Sequence, residues 1–392
     1  MSLKNKPFNL KTLIVLVFIL RLFLSLLPPM EIDHGCWRAW SARMVALGPA
    51  KFYSSEVFTA NPPGFLYVFW LLGEIKNNIF PRLSFFSSGY DFMLKLPNNI
   101  ADLAAGVLIY LIIKKRKGDK LAKLGFLLYT LNPAIWFNSS VFGQFDGSGA
   151  FFGLLAAYLL LERKKILLAT VAFAFAWAIK PQAIALAPAL GLITLFKFKP
   201  GDWFKGAFAF IVATLLIYWP FFPHNPLSGV IYVFQQMTPL YSCTTCFTFN
   251  FWGLFGNWQS DMVLFLGLPF LYWGIILFGL SLILLFRFKK ENPYLFITLS
   301  ILSFNMLMTR MHERYVLPFF AFFLIATILL KSKPLLLTYI FFSLFNTLNV
   351  YYSYAYYNTN LHLTPALIIW LNQHFQFLSL IGFSVFTFLL TT

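Results

Sequence analysis

The sequence predicts an all-α polytopic membrane protein, with about twelve transmembrane helices and further helices lying on the outer surface. Three observations predict it. Of its 392 residues 59% are hydrophobic and 20% aromatic while 11% are charged, far from the soluble average. Apolar runs long enough to cross ~30 Å of hydrocarbon recur along the chain. Basic residues also segregate by side. With twelve spans and both termini inside, 20 of the 30 Lys and Arg fall in inner loops with four acids, against nine with eight acids outside. The net charge of +17 therefore follows topology and gives no reason to expect nucleic acid as a partner.

The elements follow in order. Lys4, Lys6 and Lys11 precede an apolar run from Leu13 to Leu27. This resembles a signal peptide, but it is long and lacks a small-residue cleavage site, so it reads as a retained first span. Spans are expected near 10–27, 95–113, 121–139, 147–161, 166–180, 183–196, 203–222, 263–286, 294–308, 315–330, 334–352 and 366–390. The first external loop (28–94) should hold a surface helix from about Gly35, since Trp37, Trp40, Met44 and Leu47 recur at helical spacing. Pro62-Pro63-Gly64 breaks the chain before a second one over 65–75, with Phe65, Tyr67, Phe69 and Trp70 at headgroup level. If that segment crossed instead, Lys114 to Lys117 would land outside. The second large external loop is 223–262, and residues 1–392 read as one transmembrane domain.

Four polar clusters fall on the outer side of this layout: Glu31 to His34, Gly143 to Asp146, Lys180 to Gln182, and His312 to Tyr315. Ionisable groups at membrane depth cost several kcal/mol, so a gathering of them marks a functional site. Asp33 can act as a general base toward an acceptor hydroxyl, with Glu31 the second choice and His34 beside them. The plain alternative is a loop acid capping the next helix. Gln144 and Asp146, with Gln182, suit hydrogen bonding to a polyhydroxylated ligand; Asp146 could instead only cap a helix. Lys180 could snorkel, yet it stands where positive charge is scarce and could hold phosphate. His312-Glu313-Arg314 is hardest to read as packing: Arg314 offers a fork matched to phosphate oxygens, His312 another donor, and Arg310 extends the patch. No spacing specifies a metal or other cofactor, so none is expected. A divalent ion on Glu31, Asp33, His34 or His312 is the alternative.

Arg21 and Asp102 lie at matched depth in two spans and should form a structural ion pair. Cys243 and Cys246 suit a local disulfide in an oxidising compartment and free thiols in a reducing one. Zinc is poorly supported without further ligands, and Cys36 reads as a small apolar residue.

In this order the clusters resemble the GT-C superfamily of membrane glycosyltransferases that use polyprenyl-phosphate sugars. Asp33-His34-Gly35-Cys36-Trp37-Arg38-Ala39-Trp40 looks like the first-loop aspartate motif of the dolichyl-phosphate-glucose glucosyltransferases of N-glycan assembly. Pro62-Pro63 matches their Pro-Pro turn, with Asn61 for the usual Tyr. Gly143-Gln144-Phe145-Asp146 corresponds to Phe-Gln-Tyr-Asn, and Lys180, Gln182 and Pro188 recur at similar spacing. Met311-His312-Glu313-Arg314-Tyr315 is closer to bacterial and archaeal mannosyltransferase-like proteins. The resemblance implies inverting transfer of a hexose, mannose or glucose, from a polyprenyl-phosphate donor. The acceptor would be a lipid-linked glycan, glycolipid or protein at the outer or lumenal face. Asp33 would be the base, with Arg314, His312 and Lys180 around the phosphate and Glu313 near the sugar. The setting would be a prokaryotic plasma membrane, or the endoplasmic reticulum in a eukaryote, with membrane lipids as neighbours. The rival class is a lipid or sugar-lipid flippase, which would place its polar residues near the midplane on broken helices.

Overall fold

The computed structural model describes residues 9–54, 57–59, 61–286 and 292–391. Lys4, Lys6, Arg287, Lys289, Lys290 and Glu291, which enter the expected charge split, lie outside them. The described chain is mostly helical: α1 (Leu10–Ser25), α2 (Glu31–Leu47), α3 (Leu66–Ile79), α4 (Ser88–Lys117), α5 (Asp119–Thr130), α6 (Pro133–Trp136), α7 (Asp146–Leu161), α8 (Ile166–Ile179), α9 (Ala187–Lys197), α10 (Pro200–Tyr218), α11 (Pro226–Met237), α12 (Phe270–Leu285), α13 (Pro293–Leu307), α14 (Pro318–Leu330), α15 (Lys333–Tyr357), α16 (Pro365–Gln373) and α17 (Phe375–Thr391). Two minimal sheets join loops. β1 (Thr245–Cys246) pairs in parallel with β4 (Met311–His312), and β2 (Leu264–Phe265) with β3 (Leu268–Pro269) in antiparallel.

Local chemistry sets the boundaries. Ser87 caps α4 by accepting from Tyr90 N, and four basic residues, Lys114 to Lys117, complement the negative end of its dipole. Gly118 at φ +83° then turns the chain into α5. Asn132 caps Ala134 N where Pro133 stops α5, and the chain continues through α6 and a π-helical turn, Phe137–Phe142. At the core α7 packs on α4 and α8, and α14 on α4, α7 and α13. On α7 Gly153 makes room for Leu186, and Gly149 faces Lys180 and the Ala176 carbonyl at the end of α8. The outer faces of α10 and α12 keep large apolar side chains uncovered, Phe204 at 75% exposure among them, which suits hydrocarbon and not water.

Among the described residues three helices, α4, α10 and α15, are individually long and apolar enough to cross a bilayer, and α16 with α17, bent by 68°, makes a fourth if they act as one. The other apolar runs form shorter helices. The run expected over 121–139 is divided at Asn132-Pro133, and 183–196 opens with a 3-10 turn, Pro181–Leu186. The run over 263–286 begins as the β2–β3 hairpin and turns helical only at Phe270.

The first loop differs from expectation in two ways. α2 starts at Glu31, four residues before the expected position, because Glu31 and Asp33 suit a first helical turn. Phe65 and Phe69 face the protein interior and not the surface: Phe65 stacks on Phe145 with ring centroids 4.4 Å apart. Arg21 and Asp102 do pair, Nη1 to Oδ2 at 2.6 Å, and Arg21 Nη2 donates to Thr130 O at 2.7 Å. Lys95 donates to the terminal carbonyls of α1, Leu27 O at 2.6 Å and Ser25 O at 3.2 Å.

Candidate active site

Four chain segments meet around a cavity of about 370 Å³, whose wall includes Asp33, Gln144, Lys180, Gln182, Arg310 and Arg314. Each is placed by local chemistry. Asp33 sits in the first turn of α2, aimed by a network behind it. Arg38 Nε and Nη2 both donate to Asp91 at 2.7 Å, while Nη1 and Nη2 donate to Glu31 at 2.8 and 3.1 Å. His34 Nδ1 lies 2.8 Å from Asp91 Oδ1. This fixes the face that α2 turns to the cavity.

Gln144 follows the π-helical turn, where Gly143 at φ +85° is left-handed. A Cβ on Gly143 would collide with the His34 ring, so the two segments can meet only at glycine. Gly143 N and Gln144 N both donate to Asn138 O, at 2.9 and 3.0 Å. Phe145 then wedges between Phe65 and Trp37, which orients the residues on either side of it.

Lys180 is placed by the end of α8, which Pro181 cannot continue. The Pro62-Pro63-Gly64 turn braces that end. Gly64 N donates to Ala178 O at 2.9 Å, and a Cβ on Gly64 would come within 2.6 Å of the Ala178 carbonyl. Arg314 follows β4, which β1 holds in register. A Cys243–Cys246 disulfide closes the β1 turn, and Arg310 N donates to Cys243 O at 3.0 Å.

The side chains form a chain of contacts. Gln144 Nε2 donates to Asp33 Oδ2, and Lys180 Nζ donates to Gln144 Oε1 at 3.1 Å. The Lys180 ammonium lies 3.3 Å from Asp146 Oδ2 and 4.1 Å from the Phe145 ring centroid, a cation–π contact. Arg314 Nε approaches the same Asp146 oxygen at 3.9 Å, and its Nη1 donates to Glu313 Oε1 at 2.8 Å. Burial pushes the Glu313 carboxyl up, but the Arg314 guanidinium and His312 outweigh it and hold it at about 2. Burial lowers His312 below the ordinary histidine value against the pull of Glu313.

Of the residues expected here, Glu31, His34, Asp146, His312 and Glu313 stand behind the wall and not on it. Glu31 is engaged by Arg38, and His34 is buried against Asp91, where desolvation outweighs that carboxylate and lowers its pKa. Asp146 opens α7 without a side-chain capping bond, and its carboxylate instead lies against two cations, Lys180 and Arg314. Lys180 turns inward and does not snorkel. Arg310 lines the cavity with its guanidinium already bound, Nε to Asp261 Oδ2 and Nη1 to Thr238 O, both at 2.5 Å. Cys36, read as an apolar filler, lies on the wall one turn after Asp33. Among the described residues no three His, Cys, Asp or Glu converge as metal ligands.

Arg38, Asp91, Tyr241 and Asp261 were not foreseen. Arg38 lies inside the motif that carries the resemblance, and its cation seven residues after Glu31 was a usable signal. Tyr241, with its ring 4.6 Å from that of His312, comes from an aperiodic loop that gave none.

No protein-family model matches the chain, and no curated protein does. Among solved structures it is similar to the crystal structure of ArnT from Cupriavidus metallidurans in the apo state. The TM-score is 0.54 at 16% identity, covering 97% of this chain and 74% of that one. The likeness is one of fold, and it extends over almost the whole chain.

Proposed function

We propose that the protein is a polyprenyl-phosphate-sugar-dependent glycosyltransferase that moves a hexose, mannose or glucose, to an acceptor hydroxyl with inversion. The observation that carries this reading is the pairing across one cavity of an acid on the wall, Asp33, with two cations, Lys180 and Arg314. The ArnT-like fold supports the same class.

The acceptor oxygen attacks the anomeric carbon on the face opposite the phosphate. The C–O bond to the acceptor forms as the bond to the phosphate oxygen breaks. The acceptor proton passes to Asp33, directly or through one water. The departing polyprenyl phosphate needs no proton, so no second carboxylic acid is required. Lys180 and Arg314 stabilise the charge that builds on its oxygens. Asp146 and Glu313 keep the cations in place while leaving the far edge of the guanidinium for phosphate. A second cleft of about 160 Å³ shares Pro181, Ile184, Phe234 and Met237 with the cavity and is mainly apolar, a fitting path for the isoprenoid chain.

In the topology that goes with this reading, twelve spans put both termini inside and the cavity at the outer face. A Gly118→Cys probe in intact cells should then resist impermeant thiol reagents. Labelling from outside would invert the arrangement. The chemistry is tested by incubating purified protein with radiolabelled mannosyl- and glucosyl-polyprenyl phosphates. Wild type should release or transfer sugar from one of them, and Asp33→Asn should bind that donor yet not turn it over. Movement of intact donor across vesicles without cleavage would establish a flippase instead.

A further inference from the structure

At the opposite end of α8 from Lys180, the helices α7, α8, α9 and α10 part to leave a second large cavity of about 530 Å³. Its walls are small or apolar: Ala169, Phe173, Ala187, Gly191, Gly206 and Ala207 among them. On α8 it runs from Ile166 to Phe173, about 10 Å at 1.5 Å per residue. The polar groups on the wall are already used. Thr170 Oγ1 donates to Ile166 O at 2.5 Å and Thr194 Oγ1 to Leu190 O at 2.8 Å, each within its own helix. Trp203 Nε1 donates to Phe198 O at 3.0 Å and Thr194 O at 3.2 Å, tying the α9–α10 turn. Nothing inside is left to recognise a polar ligand, so the occupant is hydrocarbon.

The mouth of the groove is basic. The α7–α8 turn carries Arg163, Lys164 and Lys165, and the α9–α10 turn carries Lys197 and Lys199, all exposed and none in an ion pair among the described residues. Glu162, the acid of the first turn, is occupied by Lys115 and Arg116, and Asp202 is the single acid beside the second. A second copy of the chain would bring this basic rim against itself in a two-fold contact. The geometry points to an anionic phospholipid: one acyl chain fills the groove and the phosphate headgroup rests on the lysines of the two turns. This site is separate from the outer cavity and does not depend on the reaction assigned there.

Native mass spectrometry of the full chain, released from detergent micelles doped with phosphatidylglycerol or phosphatidylcholine, tests it. Wild type should retain phosphatidylglycerol in preference. Lys165→Gln with Lys197→Gln and Lys199→Gln should lower that preference by roughly fivefold per lysine removed while the chain still binds. Gly191→Leu, where a Cβ meets nothing within 4 Å, should narrow the groove and lower retention of both lipids. Ala207→Leu narrows it from the facing helix and repeats the test should the first variant fold poorly. Equal retention of the two lipids by wild type, or unchanged retention in the narrowed variants that fold, overturns the proposal.

Discussion

Two groups of buried charge in this molecule look alike and behave differently. Arg21 and Asp102 meet in the packed bundle, each 1% exposed, and Asn99, Thr130 O and the close backbone of α7 at Gly147 surround them. Lys180, Asp146 and Arg314 are also largely buried, with Asp33 half-buried beside them, but their ion pairs are longer and shared among several partners, and Asp33, Lys180 and Arg314 line an open cavity. The first group is closed, and its cost is met by mutual neutralisation. The second is held in place from behind and left open in front. The space beside a buried charge, and not its burial, separates a structural pair from a site.

That contrast can be broken at several points. The largest effect is expected at Asp33: Asp33→Asn should reduce turnover by ~10²–10⁴ with little change in melting temperature, measured by sugar transfer and thermal unfolding together. Glu31→Gln should be milder, because Glu31 acts through Arg38. Next come Arg21→Leu and Asp102→Leu. Each alone should destabilise by about 3–5 kcal/mol, and the double variant by less, because a lone buried charge is the costly state. Equal yields of the two single variants and wild type would remove the pair from this account. Arg314→Ala should weaken donor binding by about 1.5–3 kcal/mol, with partial recovery in Arg314→Lys, which keeps the charge but not the fork. Unchanged donor affinity would mean that Arg314 belongs with the closed group. Smallest is the loop brace: Cys243→Ser with Cys246→Ser should cost up to about 2 kcal/mol, read as faster proteolysis of the 238–262 loop.

The parts legible in the sequence were those governed by periodicity or by depth. Apolar runs located most helices, and counting residues from the span ends matched Arg21 to Asp102. The coincidence of four polar clusters on one side anticipated that Asp33, Gln144, Lys180 and Arg314 would meet. Contacts made through irregular backbone were not legible. Arg310 resembled one more free cation, but Asp261 binds it, and nothing in the spacing of a 49-residue separation could say so. Phe65 and Phe69 carried the composition of an interfacial belt yet pack inward, because Phe145 offers a ring to stack on. The ion pairing around Arg38 needs Asp91, 53 residues on, and no spacing in the sequence joins the two.

The β1–β4 pairing, a mere two residues on each strand, also bears on how the protein is made. It joins Thr245 and Cys246 to Met311 and His312 across many intervening residues, so the wall carrying Arg314 closes late in synthesis. A nascent chain already holding Asp33, Gln144 and Lys180 in place would have one acid and one cation of the cavity but not the second cation, Arg314. A chain truncated before β4 should therefore keep the α2 and α8 walls of the cavity but lack the wall that carries Arg314.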